Sequence, residues 1–357
     1  DYFTDEDLAF AKDQTEYSEI YGRELPSNFI HTVSFWWASA GLDYYRNYID
    51  NLRKVSRSDI QNYVRRYISG KPSVTGALIS EKDLGKVAFL KKAEVVHPRK
   101  GSSATAMAST KSDSTTEKFD VSGVPVILRR NAQSDVVSVR AFLEGGLPFA
   151  GARRAGLELL MLEVAEKQSA KYPKDTMSRE LTRLGASLSS TAGADYSTFD
   201  LGALRQNCTD SVRIFADALV HPVFTDSEVA LARERRLTRL RLQEEDPDAS
   251  VSRLATENAY GDSPYALDPL GTSALMSAAT GSQLAELHNS TVSRSRLLIV
   301  VVGTVSKAAV TAALAPALKD LPTADYKAVA PVSGSQREIA TTKLSSRDLP
   351  TVYGTGV

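Results

Sequence analysis

One cysteine, Cys208, occurs in 357 residues. Without a second thiol there is no internal disulfide, and no cysteine-based zinc site can form. Histidine is nearly as scarce, with His31, His97, His221 and His288 the four in the chain. They are scattered along it, whereas a metal site needs clustered ligands, so each is expected to be a surface or hydrogen-bonded histidine. No segment reaches the roughly 18 consecutive apolar residues of a membrane-spanning helix. Excess charge of either sign is missing too: Lys plus Arg and Asp plus Glu both number 43, which leaves no overall field to draw the chain to nucleic acid or anionic lipid. No glycine set fits G-x-x-x-x-G-K-[ST], or G-x-G-x-x-G after a strand, so nucleotide binding is not indicated. An initiator Met and a signal peptide are also lacking, and residue 1 is expected to be an internal boundary of a longer protein.

What remains is the composition of a globular protein, 42% apolar and long enough for two domains. Thr4 is placed to cap a helix with acids in its first turn, and "PSNFIHTVSFWWASAGLDYYRNYIDNL" carries an apolar face through Phe29, Val33, Phe35 and Trp36. Its aromatics, at helical spacing, are expected in a core rather than stacked on a ligand. A third helix starts at Ser56, followed by a strand in "PSVTGALIS" and a helix in "EKDLGKVAFLKK". Residues 98 to 116 hold almost nothing that can be buried and read as a linker. Beyond it, "EKFDVSGVPVILRRN" and "DVVSVRAFLEGG" alternate as strands do. "SRELTRLG" is a short helix, and "ASLSSTAGADYSTFDLGAL" makes two strands around Gly193. "TDSVRIFADALV" and "DSEVALARERRLTRLRLQEE" are helices; in the latter Leu231, Leu237 and Leu242 are expected to be buried, and the basic "RERRLTRLRL" to be a solvated face.

Residues 279 to 307 lie over 55 to 83 without a gap, Ser58 on Ser282, Tyr63 on Leu287, Val74 on Leu298 and Leu78 on Val302. The shared pattern of cap, amphipathic helix, turn, apolar strand and helix, with the linker between the copies, reads as a duplication. The organisation follows: 1–97 the C-terminal part of one domain, 98–116 a linker, 117–325 a whole domain, and 326–357 a connection ending in the first strand of another, "DLPTVYGTGV".

The order of several phrases, "GVPVILRRN", "VVSVRAFLEGG", "AGLELLMLE", "LTRLGASLSSTAGADYSTFDL", "ALVHPVFTDSEVALARERR", "EEDPDA", "SPYALDPLGT" and "LLIVVVGTVS", resembles the pitrilysin/insulinase-like zinc metallopeptidases. That family carries an inverted H-x-x-E-H motif. The resemblance covers nearly the whole chain. It implies an α+β fold: repeated domains of a mixed, largely antiparallel sheet with helices packed on one face, arranged as the halves of a clamshell. Counting from Gly156 and Leu157, the motif positions fall on Leu159 and Glu163 for the two histidines and on Leu162 for the general-base glutamate. The chemistry needs two imidazoles one helical turn apart, a distant carboxylate and a base for the metal-bound water. Glu163 alone does not supply it, and Glu158 and Glu166 nearby have no histidine to join. Glu228 or Glu234 lies where the third ligand would fall, each expected to be a solvated helix charge. Leu157, Leu160, Met161 and Val164 are core candidates.

No catalytic residue, metal ligand or cofactor is therefore expected in this chain. By the resemblance, zinc belongs to a catalytic half in the same polypeptide or a partner subunit, and this portion closes the chamber and helps bind peptides. The alternative is a non-enzymatic assembly subunit of the same fold, a dimer being compatible with either. The family implies a periplasmic location.

Overall fold

A computed structural model describes residues 3–72 and 116–327. The strand and helix expected within 73–97, the linker and the final strand lie outside these residues.

Five helices come first: α1 (Asp5–Arg23), α2 (Pro26–Ser39), α3 (Leu42–Arg46), α4 (Tyr48–Lys54) and α5 (Arg57–Tyr67). Two starts are written in the sequence. Thr4 and Ser56 each accept from the amide three residues on, and Asp7 and Asp59 reach back to the cap amide, so two orphan donors are satisfied at each end. The aromatic segment departs from expectation. It breaks at Gly41 instead of running on as one helix, and none of the five helices has a fully buried residue. Trp36 is half-buried among Tyr44, Tyr45 and Tyr48, with ring centroids 5.2, 6.4 and 5.2 Å away. Phe29 and Phe35 face solvent. The apolar face is real, but among the described residues no second layer covers it.

The second part is a six-stranded sheet: β1 (Thr116–Val121), β2 (Val124–Arg130), β3 (Val136–Glu144), β4 (Ser187–Ala192), β5 (Tyr196–Leu204) and β6 (Leu297–Gly303), in the order β1-β2-β6-β3-β5-β4. The pair β2–β6 is parallel and the rest are antiparallel, matching the expected mixed sheet. Alternation sets the faces. In β3, Val137, Val139, Ala141 and Leu143 are buried, while Ser138, Arg140 and Glu144 point to the other, more open side. On the buried side lie α7 (Leu157–Ala165), α9 (Cys208–Val220), α13 (Gly281–Thr291) and α14 (Lys307–Leu318), which contribute to one core with the strands. The remaining helices are α6 (Gly146–Ala150), α8 (Lys174–Arg183), α10 (Asp226–Glu245), α11 (Pro247–Tyr260) and α12 (Ser273–Ala278).

The two parts are joined at the end of α8. Its last carbonyls have no partner within the helix, and three side chains on one face of α1 supply donors. Gln14 Nε2 donates to Thr182 O at 2.7 Å, Tyr17 Oη to Arg183 O at 3.2 Å, and Tyr21 Oη to Gly185 O at 2.7 Å. Burial pushes the Tyr21 phenol up to about 12, so it remains a donor throughout the physiological range. Ser134 Oγ, at the start of the sheet, donates to Glu24 at 2.9 Å. Replacing Tyr17 and Tyr21 together by phenylalanine removes two donors and is expected to weaken the docking of α1 by about 1–3 kcal/mol. Hydrogen exchange is then expected to quicken in α1 and stay unchanged in β3; an unchanged α1 would contradict the attachment.

Candidate functional site

The helix to which the resemblance assigns the motif positions, α7, is seated by a backbone contact. Gly156, its N-cap, has φ +80°, a conformation that favours glycine. A Cβ there would lie 2.4 Å from Leu270 O, and one on Gly271 would lie 2.5 Å from Ala155 O. The two glycines let the start of α7 meet the loop before α12 backbone to backbone.

From that start α7 enters the core on nearly every side. Leu160, Met161 and Val164 are fully buried as expected, and Leu157 is half-buried against them. Leu159 is 4% exposed and Leu162 1%, so two of the motif positions also serve packing, each leucine stabilising the fold by about 1.5–3 kcal/mol through burial. The third, Glu163, points to α10. Its Oε2 lies 2.5 Å from Nη2 of Arg236 and its Oε1 3.8 Å from Nη1 of Arg239.

The face that α10 presents differs from the one read from its leucines. Val229, Ala232, Arg236 and Leu240 form the buried stripe, with Glu228 at its start, whereas Leu231 and Leu242 are exposed. Leu237 packs against the core from the side. Spacings of six and five residues spread the three leucines around the helix, while the observed spacings of three and four stay on one face. The basic run is likewise not solvated throughout, since Arg236 is fully buried. Glu228 is not a solvated charge either: it is buried and accepts from Lys174 Nζ at 2.6 Å. Glu234 is exposed.

These residues do not fit zinc. Leucine offers no lone pair, and the carboxylates of α7 go to three separate partners. Glu158 takes a bidentate pair from buried Arg296, at 2.5 and 3.1 Å. Glu163 faces Arg236, and Glu166 accepts from Ser190 Oγ at 2.6 Å and Lys167 Nζ at 3.0 Å. Burial lifts the Glu166 carboxyl above its ordinary value despite these bonds. Among the described residues no three of His, Cys, Asp and Glu come together as a metal would require.

The histidines have other partners. His288 is buried, its Nε2 is 2.9 Å from Leu219 O, and burial lowers its pKa, which keeps it neutral. His31 is exposed, and His97 lies outside the described residues. His221 belongs to a network that resembles a hydrolytic triad in composition but not in wiring. Asp217 stands in the centre, accepting from Ser169 Oγ at 2.6 Å and contacting His221 Nδ1 at 3.0 Å, while His221 Nε2 faces Asp320 at 3.2 Å. A serine nucleophile needs the imidazole as its immediate neighbour; here the carboxylate takes that place, so the cluster fastens the segment after α7 to α9 and to the end of α14. Cys208, the first residue of α9, is buried, and burial pushes its thiol up to about 11, leaving it unreactive.

Burial raises the pKa of Asp217, but the bonds from Ser169, His221 and the Lys171 amide, with the Lys171 charge, outweigh it and hold the group below its ordinary value. A depressed acid stabilises the fold above its unfolded pKa, about 3.9, and that contribution disappears as pH falls through the folded value. Asp217→Asn is expected to cost about 1–3 kcal/mol at neutral pH and to flatten the acid limb of a stability–pH curve. A limb as steep as in the unaltered chain would contradict the assignment.

Residues 125–273 match the family model of insulinase, peptidase family M16. The matched residues take in β2 to β5, α7 and the loop that seats it. An uncharacterized zinc protease of Rickettsia felis is 20% identical over 193 residues, covering 53% of this chain and 47% of that protein. The fold is shared with the peptidase M16 inactive domain from Pseudomonas fluorescens, at a TM-score of 0.54 and 20% identity over 58% of this chain and 51% of that one. It is shared too with the first half of the periplasmic protease PqqL from Escherichia coli, at 0.54 and 14% over 59% and 48%. The chain spans about half the length of these relatives.

Proposed function

We propose that this chain is the non-catalytic portion of a zinc-dependent peptidase, one that closes the chamber and helps bind peptides while another half supplies the metal. The observation that carries this is the state of α7, the helix to which the resemblance assigns the motif: Leu159 and Leu162 are core residues and Glu163 faces Arg236. The likeness to an M16 inactive domain supports the reading.

The helices of the first part support a partner half. Laid over α13, α5 has the same eleven-residue length and the same kind of capping box, Ser56 with Asp59 against Thr280 with Gln283. The face that α13 buries, Leu284, Leu287, His288 and Thr291, corresponds in α5 to Ile60, Tyr63, Val64 and Tyr67. Of these, Tyr63 is 60% exposed and Tyr67 55%. An apolar face of this kind suits an interface, and the correspondence with α13 supports a complement from a domain of the same fold. Enclosure by two halves orients a peptide and limits water around the reacting bond.

The test is hydrolysis of an unstructured peptide by a zinc-bearing half with an intact H-x-x-E-H, assayed alone and mixed with this chain. Cleavage is expected to appear, or to rise at least tenfold, in the mixture. Equal rates with and without the chain would sink the proposal and favour the assembly-subunit reading.

A further inference from the structure

Of the three motif positions, Glu163 alone carries a group able to hold a cation, and a cation is already there. The Arg236 guanidinium reaches Glu163 from the apolar stripe of α10, with Nη2 2.5 Å from Oε2. Arg236 is among the largest fully buried side chains, and its Nε, Nη1 and Nη2 are buried without a hydrogen-bond partner. A charge so placed is tolerated only against an opposite charge, and Arg236 has Glu163. Arg239 approaches the same carboxylate from the solvent side at 3.8 Å.

We infer that Arg236 has taken over the place of a metal ion in the α7–α10 interface, pairing with Glu163 as a resident organic cation that shuts divalent ions out. The loss of metal is then maintained from α10 as well as by the leucines of α7, and restoring ligands on α7 alone does not recover zinc. The inference rests on this contact and not on the proposed role in peptide cleavage, so the two can fail separately.

The test is zinc uptake by the whole chain, measured by equilibrium dialysis and metal analysis. Leu159→His places an imidazole one helical turn from Glu163 while keeping Arg236; Leu159→His combined with Arg236→Glu also exchanges the guanidinium for a ligand. The first variant is expected to hold background zinc. The second is expected to hold equimolar zinc and to gain a zinc-dependent rise in Tm. Equal uptake by both, or no uptake by a folded second variant, overturns the inference. If the second variant does not fold, Arg236→Ala gives an independent reading. Millimolar guanidinium is expected to raise its Tm above that in equal sodium chloride, and to have no such effect in Glu163→Leu/Arg236→Ala. The absence of a guanidinium-specific rise in Arg236→Ala would also overturn it.

Discussion

Replacing Arg296 by alanine is expected to cost about 3–5 kcal/mol, the loss typical when one partner of a buried ion pair is removed. The guanidinium is buried and fully engaged. It donates through Nε to Glu144 O at 2.6 Å, through Nη1 and Nη2 to the two oxygens of Glu158 at 2.5 and 3.1 Å, and lies over the Phe149 ring 4.2 Å from its centroid. Those contacts join the end of β3, the first turn of α7 and the start of β6, so the truncation leaves a desolvated carboxylate where three elements meet. Most of the penalty belongs to that orphaned charge. Glu158→Leu/Arg296→Met, which removes both charges and retains bulk, is therefore expected to recover a large part of it. Denaturant midpoints measure both variants, and a double variant no more stable than Arg296→Ala would contradict this assignment of the cost.

Leu162→Glu, which puts a carboxylate at the position the resemblance gives to the general base, is expected to be the most damaging substitution in α7. Leu162 is wholly inside the core. Losing its burial costs about 2 kcal/mol. A glutamate there cannot ionise without a partner, and holding it protonated at pH 7, nearly three units above its ordinary value of about 4.3, costs up to about 4 kcal/mol more. The sum, about 4–6 kcal/mol, rivals the whole stability of many domains. The sign of its pH dependence separates the terms. The group's folded pKa would be raised, so the penalty should shrink as pH falls towards 4.3 and leave only the packing loss. A penalty independent of pH would show that the new side chain escapes to water.

Much of the fold was readable in the sequence because the signals are local. A hydroxyl at Thr4 or Ser56 with an acid three residues on specifies a helix start, and alternation through Val137, Val139, Ala141 and Leu143 specifies a strand with one buried face. What escaped depends on which face of an element meets a distant neighbour. Charge along α10 reads as solvated, yet Arg236 lies inward because Glu163, on another helix, compensates it. The signal is present as Val229, Ala232 and Leu240 at helical spacings that place Arg236 on their stripe, together with an acid, Glu163, flanked by the apolar residues of α7. Glu228 likewise reads as solvated, because its partner Lys174 lies on α8. Composition assigns the aromatic segment to a core because it reports apolar area and not what covers it.

The central claim is that α7 of this chain is chemically silent. The most direct measurement is cleavage of an unstructured peptide by the purified chain alone in saturating zinc, with bound zinc counted in the same sample. The expected result is background zinc and no cleavage, unchanged by a chelator. Stoichiometric zinc with chelator-sensitive cleavage would contradict the assignment of Leu159, Leu162 and Glu163 as a motif turned to packing.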